Sequence, residues 1–150
     1  MDVGEGDTLS VDATRSAYSP RIQQDMYEVD RDTFEGLVTA AVHDLPEAFR
    51  DRIANLEFIV EDWASSDDYA RVGGGRGRTL LGVYRGIPLP RRHRGYHMTL
   101  PDRIVIFRQP IQRLARNEAD LSKRVRHVVR HEVAHYFGIS DERLREIDAY

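Results

Sequence analysis

The chain predicts an α+β domain, and three observations carry that prediction. A long C-terminal segment repeats its apolar residues at helical spacing, three short upstream segments read as strands, and another helical pattern precedes them. The 150 residues are 41% hydrophobic and 31% charged, enough apolar material for a single globular core.

The elements follow in order. Met1 to about Val29 is polar and aperiodic, so residues 1–29 are expected to be a disordered acidic tail and 30–150 the folded domain. A helix is expected to begin at Asp30 or Asp32, either serving as its cap, and to present Phe34, Leu37, Val38, Ala41 and Val42 to the core. Pro46 ends it or opens a short helix that continues through Phe49 and Ile53. Leu56–Glu61 reads as a strand.

Asp62 to Arg78 is expected to be a flexible loop around Gly73-Gly74-Gly75-Arg76-Gly77. It is no phosphate cradle, because no Gly-Lys-Ser/Thr follows and the dinucleotide glycine spacing fails. Thr79–Tyr84 and Arg103–Phe107 read as two more strands. Arg85, Arg91, Arg92, His93 and Arg94 cluster around Pro88 and Pro90. They could bind an anion, nucleic acid or a substrate carboxylate; a solvated loop is the preferred reading, since no aromatic stacking pattern accompanies them.

The last long helix is expected over Glu118–Phe137, a stretch free of Pro and Gly. Leu121, Val125, Val128, Val129, Val133 and Tyr136 form its apolar stripe. This helix carries His131-Glu132-Val133-Ala134-His135. Two histidines four apart share one helix face, where both imidazoles can reach one divalent ion with the glutamate as a base beside it. Glu132 falls about 100° from His131, inside the apolar stripe. There it either loses water and needs a partner, such as a buried arginine or a metal-activated water, or reaches outward at the core edge.

Gly138 fits a left-handed helix stop that turns the chain back. The reversal lets Asp141 return to the histidines as an oxygen ligand, or Ser140 or Asp141 simply caps a final helix through Glu142–Glu146. His127 extends a ladder with His131 and His135, but three turns span roughly 12 Å, too far for one ion. It is expected to be exposed or to act behind the ligands.

With these residues in view, the chain resembles the small zincin-like metallopeptidase family, the minimal-zincin group of actinobacterial type. Leu80–Leu89 is similar to the family's strand and turn, Leu100–Arg108 to its second strand, and Val125–Leu144 to its metal helix and following turn. The likeness runs from about Phe34 to the C-terminus. It implies a zincin-like fold with the metal helix packed on a small sheet, zinc held by His131, His135 and Asp141, and Glu132 as general base. Ala134 and Tyr136 stand where members often carry glycine and a second histidine, and no methionine follows Asp141, so the Met-turn of larger relatives is absent.

The function these readings lead to is hydrolysis of peptide bonds by a metal-activated water, with a peptide or protein as substrate. The alternative is a zinc-bearing interaction module without catalysis. Tyr136, Tyr96 and His97 are candidate oxyanion stabilisers by residue type only, and Tyr136 on the apolar stripe is expected in the core. With no cysteine, any zinc must be held by histidine and carboxylate. A net charge of −3 gives no general pull toward nucleic acid. No segment has the apolar length of a membrane span or the pattern of a secretory leader, so a cytoplasmic location is expected.

Overall fold

The computed structural model describes residues 27–74, 77–87 and 102–146. Six helices and three strands follow one another there as α1 (Arg31–His43), α2 (Glu47–Arg50), β1 (Leu56–Glu61), α3 (Ser66–Arg71), β2 (Gly82–Arg85), β3 (Asp102–Phe107), α4 (Arg108–Leu114), α5 (Glu118–Tyr136) and α6 (Asp141–Glu146). The α+β architecture is as the sequence predicts.

Of the two candidate caps for α1, Asp30 takes the role: its carboxylate accepts the Thr33 N–H at 2.7 Å. Phe34, Val38 and Ala41 then recur at helical spacing and are buried. Pro46 opens α2, where its missing N–H costs nothing. The expected tail begins outside the described residues, which start at Tyr27. Its last residues are engaged: the Val29 N–H donates to Gln112 Oε1 at 2.8 Å and the Val29 carbonyl accepts from Arg108 at 3.0 Å.

The sheet has the order β1-β3-β2, with β1 parallel and β2 antiparallel to β3. As the middle strand, β3 is apolar on both faces, and Ile104 through Phe107 are fully buried. Ile104 and Ile106 point into the main core, formed with α1 and α5; Val105 and Phe107 join Val83 in a smaller cluster on the other face. The β1 bounds match the sequence reading. Strand β2 starts at Gly82 rather than Thr79, although the Leu81 carbonyl already accepts the Phe107 N–H at 2.9 Å.

The expected loop from Asp62 to Arg78 contains a helix, α3. Ser65 and Asp68 form a reciprocal capping box at its start. Asp68 is almost wholly buried and is gripped by Arg85, which also pairs with Glu61. Arg85 is therefore a strand residue in a latch between β1, β2 and α3, not part of a solvated loop. The rest of the arginine cluster, Arg91, Arg92, His93 and Arg94, lies outside the described residues. Helix α4 has no counterpart in the sequence reading; Pro110 sits in its first turn, where proline is tolerated. None of the described helices is long and apolar enough to cross a membrane.

Candidate metal centre

Helix α5 begins at an Asn117 cap that accepts the Asp120 N–H at 2.9 Å and runs through Tyr136 without interruption. Its apolar stripe of Leu121, Val125, Val128, Val129, Val133 and Tyr136 is buried against α1 and the sheet. That packing fixes the rotation of the helix and leaves His131 and His135 on the neighbouring, half-buried face.

The helix ends as the glycine predicts. Gly138 has φ +82°, its N–H donates to the His135 carbonyl, and the Ile139 N–H donates to the Ala134 carbonyl, both at 2.9 Å. This pair of bonds is the Schellman arrangement. It reverses the chain so that Ser140 and Asp141 come back over the last turn of α5. The Ser140 hydroxyl accepts the Arg143 N–H at 3.2 Å and caps α6. Asp141 is the first residue inside α6 and its carboxylate is left for the histidines. Cap and acid are thus adjacent residues with separate tasks.

Asp141 Oδ1 lies 2.9 Å from His131 Nε2 and 3.0 Å from His135 Nε2. One ligand atom from each of the three residues falls within 4.8 Å of the others. Burial holds the His131 imidazole below its ordinary range, helped by the neighbouring His135, while Asp141 pulls the other way. Asp141 Oδ1 is shut off from solvent and makes no well-aligned hydrogen bond, although both imidazole nitrogens lie within reach of it. The carboxylate oxygen and the two imidazole nitrogens converge with lone pairs to offer, an arrangement that a proton on one nitrogen or a cation among the three satisfies. The donor set fits the cation: two nitrogens and one oxygen suit a divalent ion that accepts imidazole and carboxylate. His127 stands one turn back, its ring centroid 6.3 Å from that of His131, and is not a member of the converging group.

Glu132 sits where the helical wheel puts it, inside the apolar stripe and 7% exposed. Among the described residues its partner is a backbone amide rather than an arginine. The backbone N–H of Tyr84, on β2, donates to its carboxylate. Burial pushes the Glu132 carboxyl up to about 8, and the charge of Asp141 pushes the same way, while the Tyr84 amide opposes them. Gly82 permits this approach. A Cβ there would lie 2.8 Å from Val128 Cγ1, and 3.1 Å from both Glu132 Cγ and the Val105 carbonyl oxygen. A glycine inside a strand pattern is a readable sign of such close packing; the Tyr84 amide, being backbone, leaves no sign in the sequence.

Tyr136 goes to the core, as expected, with its hydroxyl 3.4 Å from the Arg52 carbonyl and its ring edge-on to Tyr84. Tyr96 and His97 lie outside the described residues.

Comparison with known proteins agrees with this fold. Residues 53–150 match the family described as zincin-like metallopeptidase. Among solved structures, the chain is similar to a conserved hypothetical protein from Thermo thermophilus, with a TM-score of 0.50 and 22% identity over 73% of this chain and 94% of that one. At that identity the likeness speaks for the fold. No curated protein matches. With about two-thirds of its length matched, helix, turn and acid included, the chain belongs to the zincin-like metallopeptidase family.

Proposed function

We propose that this chain is a zinc-dependent peptidase in which His131, His135 and Asp141 hold the ion and Glu132 is the general base. The observation that carries the reading is the convergence of Asp141 Oδ1, closed to solvent, on both imidazole nitrogens. Three protein ligands are the number that catalytic zinc sites use, since a fourth position is kept for water or substrate. Zinc bound there supplies a Lewis acid that polarises a carbonyl and lowers the pKa of water.

The residues of the chain do the rest. Glu132 follows His131 directly and is turned toward β2, so its carboxylate borders the ligand group without joining it. A carboxylate beside the ligand group is placed to take a proton from water and to give it back, which is what a base that later serves as acid requires. Glu132 takes the proton of the attacking water at a carboxylate oxygen and returns it to the leaving amine. The Tyr84 N–H holds the carboxylate in place meanwhile. Strand β2 lies beside α5, and an extended peptide paired along it would pass its backbone over the histidine face.

Metal content per chain and hydrolysis of fluorescein-labelled casein test this together. The wild type should carry one zinc per chain, and His131→Ala and Asp141→Ala should lose it. Glu132→Gln should keep the zinc and lose roughly 10²–10⁴-fold in hydrolysis. Full occupancy in Asp141→Ala would reduce Asp141 to a helix residue, and full hydrolysis by Glu132→Gln would end the mechanism.

A further inference from the structure

The face of α5 that carries the metal group continues toward the helix N-terminus. A helix turns about 100° per residue, so the direction midway between His131 and His135 passes again through Arg124, with Asp120 close beside it. Arg124 precedes His131 by seven residues, about 10 Å along the axis.

The pairing of Arg124 is incomplete. Its Nε lies 3.3 Å from Asp120 Oδ1, yet that nitrogen is closed to solvent and makes no hydrogen bond. The other oxygen of Asp120 is occupied by Arg116, through its N–H at 3.1 Å and its Nε at 3.2 Å. One carboxylate thus serves two guanidiniums, and the group keeps a net positive charge. The contact to Asp120 uses the Nε edge of Arg124 and leaves its two terminal nitrogens, the fork that grips a carboxylate in two parallel bonds. Arg85 differs: Asp68 and Glu61 take its Nε and both terminal nitrogens. Arg124 is also 36% exposed, open enough to receive a ligand and covered enough for charge to matter.

Strand β2 runs beside this face in the same sense as α5, with Gly82 against Val128 and the Tyr84 amide at Glu132. An extended peptide paired along the outer edge of β2, over this face, advances about 3.3 Å per residue. The roughly 10 Å from His131 to Arg124 is therefore about three residues of substrate.

We propose that Arg124 is the anion-recognising residue of this cleft, so that the protein acts on acidic peptides bearing a carboxylate about three residues from the bond that is cut. The bond cleavage rests on the peptidase reading above; the carboxylate rests on the geometry of α5.

The test separates the two. Zinc-loaded Glu132→Gln protein is titrated against fluorescein-labelled Ala/Leu decapeptides that differ at one position, Glu or Gln, and anisotropy gives the affinities. In parallel, the wild type digests a mixed-sequence peptide library and mass spectrometry locates the cuts. The Glu peptide should bind about tenfold more tightly than the Gln peptide, and cuts should cluster about three residues from Asp or Glu. Arg124→Ala should abolish the difference. Arg124→Glu should favour a Lys decapeptide instead, a gain that misfolding cannot produce. Equal affinities for the Glu and Gln peptides, or a preference unchanged in Arg124→Ala, overturn the proposal. Arg124-dependent binding with no cleavage of any peptide upholds the acidic-peptide site and removes the peptidase reading. Cleavage of neutral peptides without acidic preference does the reverse.

Discussion

Asp68 and Glu132 are both buried carboxylates, both are reached from β2, and they hold their protons with opposite strength. Asp68 receives four hydrogen bonds, from the Ser65 N–H and hydroxyl and from two nitrogens of Arg85. Burial pushes its carboxyl up, but these donors outweigh burial and hold it at about 2. Glu132 has the Tyr84 amide, faces the charge of Asp141, and rises to about 8. Consecutive residues of one strand, Tyr84 and Arg85, supply the two environments. Burial is common to both, so the partners decide. A carboxylate with every oxygen satisfied is a rivet; one kept short of donors beside a second acid holds its proton to higher pH.

Arg85→Ala is the severest way to break the contrast. It strips Asp68 of its counter-charge in a buried position and should cost about 3 kcal/mol. Urea denaturation measures the loss, and zinc content per chain should not change. A loss below about 1 kcal/mol would show that Ser65 alone satisfies Asp68.

Acid should expose the same rivet more gently. The folded-state value of Asp68 lies below its ordinary 3.8. Its contribution is therefore complete above pH 3.8 and is lost as pH falls toward 2, about 2 kcal/mol in all. Thermal melts of wild type and Asp68→Asn between about pH 2 and 5 check this: the variant should start less stable and should lack that part of the acid decline.

Gly82→Ala acts on the Glu132 side. The added methyl meets the Val128 side chain and the immovable Val105 carbonyl, so β2 must shift from α5 at a cost of about 1 kcal/mol. Calorimetry should register that cost, and the displaced Tyr84 amide should lower casein hydrolysis while zinc content stays level. Hydrolysis equal to wild type would detach Glu132 from β2.

The legible parts of the molecule are those that carry their pattern locally. Helix α5 repeats its apolar residues along its whole length, and β1 is a short apolar run; both appear where the sequence puts them. Asp141 is ambiguous in sequence because capping and ligation need the same acid at the same spacing. Only the hydrogen bond from Arg143 to Ser140 separates the roles. Helix α3 escapes the sequence because Ser66-Asp67-Asp68-Tyr69-Ala70-Arg71 has almost no apolar face, and what holds it is a distant arginine. The pattern Ser65-x-x-Asp68 is the available clue. Helix α4 escapes it because Pro110 suggests a break, though a proline in the first turn forms none.

The ligand group is assembled from one uninterrupted stretch, His131 to Asp141, closed by a turn that needs no help from the sheet. The brace on Glu132 comes from far upstream in the chain, across a strand that must first dock. Short-range closures form early during folding and distant ones late. On the peptidase reading proposed above, the three ligand residues would therefore be gathered before the brace on Glu132 is in place, and an ion could be held before the chemistry could run.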